Sequence, residues 1–113
     1  VICVTNRSKG RVVAERVQAA EDTRTRLIGL LNRRRLDRGE GLWIPTAAIH
    51  TLGMRFAIDA VFLDGQRRVQ KVYHQLPPWR ITRYVWGARS VLELAAGAAA
   101  AAEVEEGDEL EME

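Results

Sequence analysis

Ala57-Ile58-Asp59-Ala60-Val61-Phe62-Leu63 is an apolar run broken by a single carboxylate, and it restricts what this chain can fold into more than any other segment. The run is short for a helix and apolar at successive positions, so it reads as a strand covered on both faces. Asp64-Gly65 follows as a tight-turn pair, and Arg68-Val69-Gln70-Lys71-Val72-Tyr73 alternates as a returning strand would. The rest of the chain must therefore cover both faces of a central hairpin.

The material for that is mostly β. Val1–Thr5 and Arg11–Val17 are rich in β-branched residues, and the polar stretch Asn6-Arg7-Ser8-Lys9-Gly10 between them predicts a second hairpin. Leu42-Trp43-Ile44 stops at Pro45, which places it at a ladder end or edge. Ala48-Ile49-His50-Thr51 is a short candidate strand, Val91-Leu92-Glu93-Leu94 another, and Glu109–Met112 a last one after the Glu106-Gly107-Asp108 turn. Leu76-Pro77-Pro78-Trp79-Arg80 must be an extended loop, because neither proline can donate to a ladder. One short helix is expected near residues 23–33, where Leu27, Leu30 and Leu31 share a face and Asp22 or Thr23 can cap it. Ala98–Ala102 is either one helical turn or a tightly packed small-residue segment. The expected class is mostly β (a β-rich α+β domain), a compact β-sandwich or a barrel-like arrangement.

At 113 residues this makes a single domain, 1–113, large enough for a core without a metal or disulfide staple. Cys3 is the one cysteine, so no intrachain disulfide can form, and in a terminal strand it reads as a small core residue. No apolar run is long enough to span a bilayer. A cytoplasmic location is the default expectation, or export if a leader preceded Val1. The charge is unevenly distributed: all 17 Lys and Arg lie at or before Arg89, against 7 acids, while 8 acids and no cation follow. An anionic partner would suit such a body. Pairing of the late carboxylates Glu109, Glu111 and Glu113 with arginines across the sheet suits it better.

The segment Ile49-His50-Thr51-Leu52-Gly53-Met54, continuing through Ile58-Asp59-Ala60-Val61-Phe62-Leu63-Asp64, resembles the hallmark of the DUF192 (UPF0127) family, His-Thr-x-x-Met and then Ile-Asp-x-x-Phe-Leu-Asp. Arg26-Leu27-Ile28-Gly29-Leu30-Leu31, Gly41-Leu42-Trp43-Ile44, Val91–Leu94 with Gly97, and Gly107-Asp108 resemble its flanking elements, so the likeness runs over roughly residues 20 to 110. The resemblance implies a compact β-rich, sandwich-like fold and supplies no catalytic residues to carry over.

The residues themselves offer three readings. The first is a non-enzymatic ligand-binding or accessory domain with a pocket near His50, Thr51, Met54 and Asp59 and with Trp79 beside it. Its partner would be a small molecule or a protein, and it needs no cofactor and no metal. An aspartate within an apolar strand needs a dedicated partner, so Asp59 pins a loop or lines that pocket. The second is a metal-dependent or acid–base enzyme using His50 and Asp59; His50, Met54 and Cys3 are its soft-metal candidates. The third is an anion or nucleic-acid binder using Arg33, Arg34 and Arg35 with the Trp79–Trp86 loop. Trp79 and Trp86 are expected to cover the end of the core, and His74 to lie at the surface.

Overall fold

The computed structural model describes residues 1–20, 30 and 33–113. The expected helix near residues 23–33 therefore lies mostly outside the described residues; Leu30 within it is buried. Among the described residues there are seven strands: β1 (Ile2–Asn6), β2 (Arg11–Ala19), β3 (Glu40–Ile44), β4 (Ile58–Leu63), β5 (Val69–Leu76), β6 (Ser90–Ala95) and β7 (Leu110–Met112). A one-turn helix, α1 (Ala98–Ala101), stands between β6 and β7.

All seven strands belong to one sheet in the order β5-β4-β6-β3-β2-β1-β7. Every pair is antiparallel except β2 with β3. The sheet curls into a half-barrel, so of the two expected architectures the barrel-like one is correct and the two-sheet sandwich is not. The curl brings its edge strands together at one end. There Val69 N–H donates to Asp108 O (2.8 Å), Leu110 N–H to Arg67 O (2.9 Å), and Arg68 bridges Glu109. A flat sheet of this size would leave two open edges; the twist intrinsic to strands lets this one partly seal itself.

β4 and β6 explain the continuous apolar runs, since all six residues of each are buried. Val61 and Leu63 point with Leu92 and Leu94 into a core shared with Val4, Val17, Val104, Leu110 and the alanines of α1. Ile58, Ala60 and Phe62 point the other way, into a core with Ile44, Ile49, Met54, Leu30 and Leu36. Gly41 lies where β3 pairs with β6, opposite Leu94: a β-carbon there would come 2.9 Å from Glu93 O and 3.1 Å from Leu94 Cδ2. Only glycine allows that approach.

Three local expectations change. Ala48–Thr51 is not a strand but a single bridge, His50 with Ile81, because Thr51 and Thr82 side chains replace ladder bonds on either side of it. Asn6 ends β1 instead of opening the loop, and it is fully buried. Cys3 is half-buried, on the face of β1 opposite Val4, and is not a core residue.

Candidate functional site

Asp59 shares the inner face of β4 with Val61 and Leu63 and has no exposed surface. Its Oδ1 accepts from Gln75 N–H (2.8 Å), and its Oδ2 from Gly97 N–H (3.0 Å) and Ala99 N–H (2.9 Å). The last two are free donors at the start of α1, whose own N-cap, Gly97, has no side chain to offer. Asp59 thus caps a helix from a neighbouring strand and ties β5 to the β6–α1 connection. His50 is not among its partners, so the acid–base pair expected of an enzyme is not assembled here.

Thr51, also fully buried, holds a different segment. Its hydroxyl donates to Pro77 O (2.7 Å) and accepts from Arg80 N–H (2.9 Å). Its backbone N–H donates to Arg80 O (2.8 Å), and its carbonyl accepts from Trp79 N–H (3.0 Å). Two residues beyond Arg80, Thr82 Oγ1 accepts from Ile49 N–H and donates to Ile49 O. Met54 is buried in the outer core, and His50 Nδ1 accepts from Leu52 N–H (3.3 Å). Four of the five candidate ligand-binding residues (His50, Thr51, Met54, Asp59) are thus engaged in holding backbone or filling core, and the fifth, Trp79, rides on the loop that Thr51 fixes.

That loop contradicts one expectation. Trp79 and Trp86 do not cover the core: they are 66% and 85% exposed, with Ile81 at 72% and Tyr84 at 60%. Tyr84 and Trp86 meet edge to face, ring centroids 5.0 Å apart. Ile49, Met54, Ala88 and Val85 fill the end of the core in their place. Trp79 also has a positive φ of 65°, a conformation that costs a non-glycine residue about 1 kcal/mol or more. Exposed aromatics could not have been told from buried ones in the sequence, because the loop is held by contacts with the distant Ile49–Thr51 segment, Thr51 bonding Pro77 and Arg80 and Thr82 bonding Ile49.

The arginine cluster is largely used internally. Arg33 grips Glu40 with both guanidinium nitrogens (2.7 and 3.2 Å), and Arg35 pairs with Asp37 at 2.8 Å. Arg33 hydrogen-bonds the Glu40 carboxylate and holds its pKa below the usual range, helped by the Asp37 N–H. Arg34 and His74 are exposed. Glu109 and Glu111 lie against Arg7, and Glu109 also against Arg68, so these two late carboxylates do pair with arginines, whereas Glu113 lies against Glu111, which raises its pKa. Among the described residues no three His, Cys, Asp or Glu side chains gather as a metal-holding group, and no helix is long and apolar enough to cross a membrane.

The profile of the family DUF192, described as "Uncharacterized ACR", matches residues 4–112. A UPF0127 protein of Thermococcus sibiricus is 30% identical over 113 residues, covering 96% of this chain and 73% of that protein. A protein of unknown function from Novosphingobium aromaticivorans has a similar crystal structure, with a TM-score of 0.80 and 25% identity over 97% of this chain and 82% of that one. A Sinorhizobium meliloti structure, described as a proposed transcription regulator, superimposes with a TM-score of 0.82 at 23% identity, covering 98% and 91% of the two chains. At that identity the likeness is one of fold.

Proposed function

Since this chain belongs to the DUF192 family, whose description assigns no activity, function has to be argued from its own surface, and we propose a non-catalytic binding domain that docks a protein partner through the Trp79–Trp86 loop. The carrying observation is the clustering of exposed apolar side chains. Of the seven exposed large hydrophobics among the described residues, Trp79, Ile81, Tyr84 and Trp86 lie in this loop and Leu52 lies beside its Thr51 anchor. Such patches on a soluble surface mark interaction sites. Arg80 and Arg83 stand among them, exposed, and Trp, Tyr and Arg are the residues that dominate binding energy at protein interfaces. In this reading Thr51 and Thr82 preset the loop's shape, which lowers the entropy lost on docking. His50, Met54 and Asp59 support the frame behind it.

A photoreactive residue at position 81, with a control at exposed position 66, tests the proposal in cells. One discrete protein adduct from position 81, abolished by Trp86→Ala while the purified variant unfolds as before, is the expected result. Truncating a central aromatic should weaken the isolated pair by about tenfold or more. Equal adducts from both positions would refute the docking surface. Oligonucleotide adducts alone would replace the protein partner by single-stranded nucleic acid stacking on the same rings.

A further inference from the structure

A cleft of about 420 Å³, lined by none of the residues of that loop, lies where the ends of β2 and β3 meet the β4–β5 turn and the start of β6. Its volume falls within the range of small-ligand sites. Ala19, Ala20, Trp43, Ile44 and Pro45 give it an apolar lining, while Arg67, Arg89 and Ser90 supply polar groups. Trp43 indole N–H donates to Ser90 Oγ at 2.8 Å, which occupies one lone pair of that hydroxyl and leaves its proton to donate.

The two arginines carry the argument. Neither has a carboxylate within ion-pair distance among the described residues. The acid that lines the same cleft, Asp64, is engaged in its own turn: Oδ1 accepts from Gln66 and Arg68 N–H groups (2.8 and 2.9 Å), and Oδ2 from Gln70 Nε2 (3.3 Å). Arg67 sits with its guanidinium 5.2 Å over the Trp43 ring, at a backbone φ of 63°. The ladder shifts register next to this turn, between Phe62 and Leu63, and a left-handed position beside a hairpin bulge ordinarily takes glycine. An arginine there is strained, and strain of this kind is retained at functional positions. Arg89 borders the same turn, its Cγ 3.8 Å from where a β-carbon on Gly65 would stand.

We infer that this cleft binds a small amphipathic carboxylate, its apolar body against Trp43, Ile44 and Pro45 and its charge met by Arg67 and Arg89, with Ser90 as a further donor. Guanidinium–carboxylate pairing supplies the orientation, and the apolar lining supplies contact area. The site is independent of the docking loop, and either can fail without the other.

The test uses 3-phenylpropionate and octanoate against their neutral amides. In a Trp79→Phe, Trp86→Phe background Trp43 is the remaining indole, so its emission reports the cleft alone. The expected result is a saturable change with at least one carboxylate, with the matching amide at least about tenfold weaker. Arg67→Gly should lose about tenfold in affinity while melting no lower than the parent, since glycine relieves the turn; Arg89→Gln should lose binding with its melting temperature unchanged. Equal binding of acid and amide, full binding by both arginine variants, or no saturation by ~10 mM of either acid would each overturn the inference.

Discussion

Asp59 is a carboxylate in a strand whose six residues are all buried, and it is tolerated because three backbone N–H groups point at it. Removing it would strand those donors without water or partner. Asp59→Ala should therefore lower stability by about 3–5 kcal/mol in urea unfolding, and Asp59→Asn by less, since the amide keeps one acceptor oxygen. A loss below about 1 kcal/mol would show that the donors find other partners. The sequence announced the need for a partner, because an acid in an apolar run has no other resolution. It could not identify Gln75, Gly97 and Ala99, which lie 16, 38 and 40 positions away. Asn6 was hidden for the same reason. A polar residue before Arg7-Ser8-Lys9-Gly10 reads as loop, yet its Nδ2 donates to Ala102 O and Asp108 Oδ2, 96 and 102 residues on.

Period-two patterning made the strands legible. β4 and β5 lie within a residue or so of their expected bounds at the turn, and the apolarity of Ile58–Leu63 on both faces, interrupted only by Asp59, corresponds to a strand packed on both faces. Side-chain substitution for backbone pairing was not legible, and the loop after β5 is built on it. There the Thr51 and Thr82 hydroxyls stand in for a ladder around the lone His50–Ile81 bridge. The loop's most strained member is also one of its most exposed. Trp79→Gly should accordingly hold or raise the melting temperature, by relief of about 1 kcal/mol at positive φ, while abolishing partner cross-linking. Lost stability together with lost cross-linking would mean that the indole holds the loop's shape and does not itself make contact.

At the scale of the molecule, the half-barrel is held shut by a seam in which β7 pairs with β1 and reaches across to β5. Asp108 is its charged centre. Burial alone would raise its pKa, but hydrogen bonds from Lys9 Nζ (2.8 Å), Asn6 Nδ2 and the Glu105 N–H outweigh burial and leave it lowered. A lowered carboxyl pKa stabilises the fold above the ordinary value near 4 and loses that contribution as pH falls through the folded value. Lys9 is raised by the same hydrogen bond, so its contribution holds at neutral pH and disappears only in strong alkali. Asp108→Asn should be less stable than the parent at pH 7 and should close that gap by pH 3 in urea titrations; a gap independent of pH would assign the effect to packing. The seam also governs self-association. Among the described residues β7 is what covers the outer edge of β1, so opening the seam leaves that edge unpaired. An open edge of that kind recruits other chains, so Leu110→Pro, which removes the N–H that bonds Arg67 O, should raise the aggregated fraction of refolded protein above the parent's, and an unchanged fraction would show that the β1 edge is protected by other means.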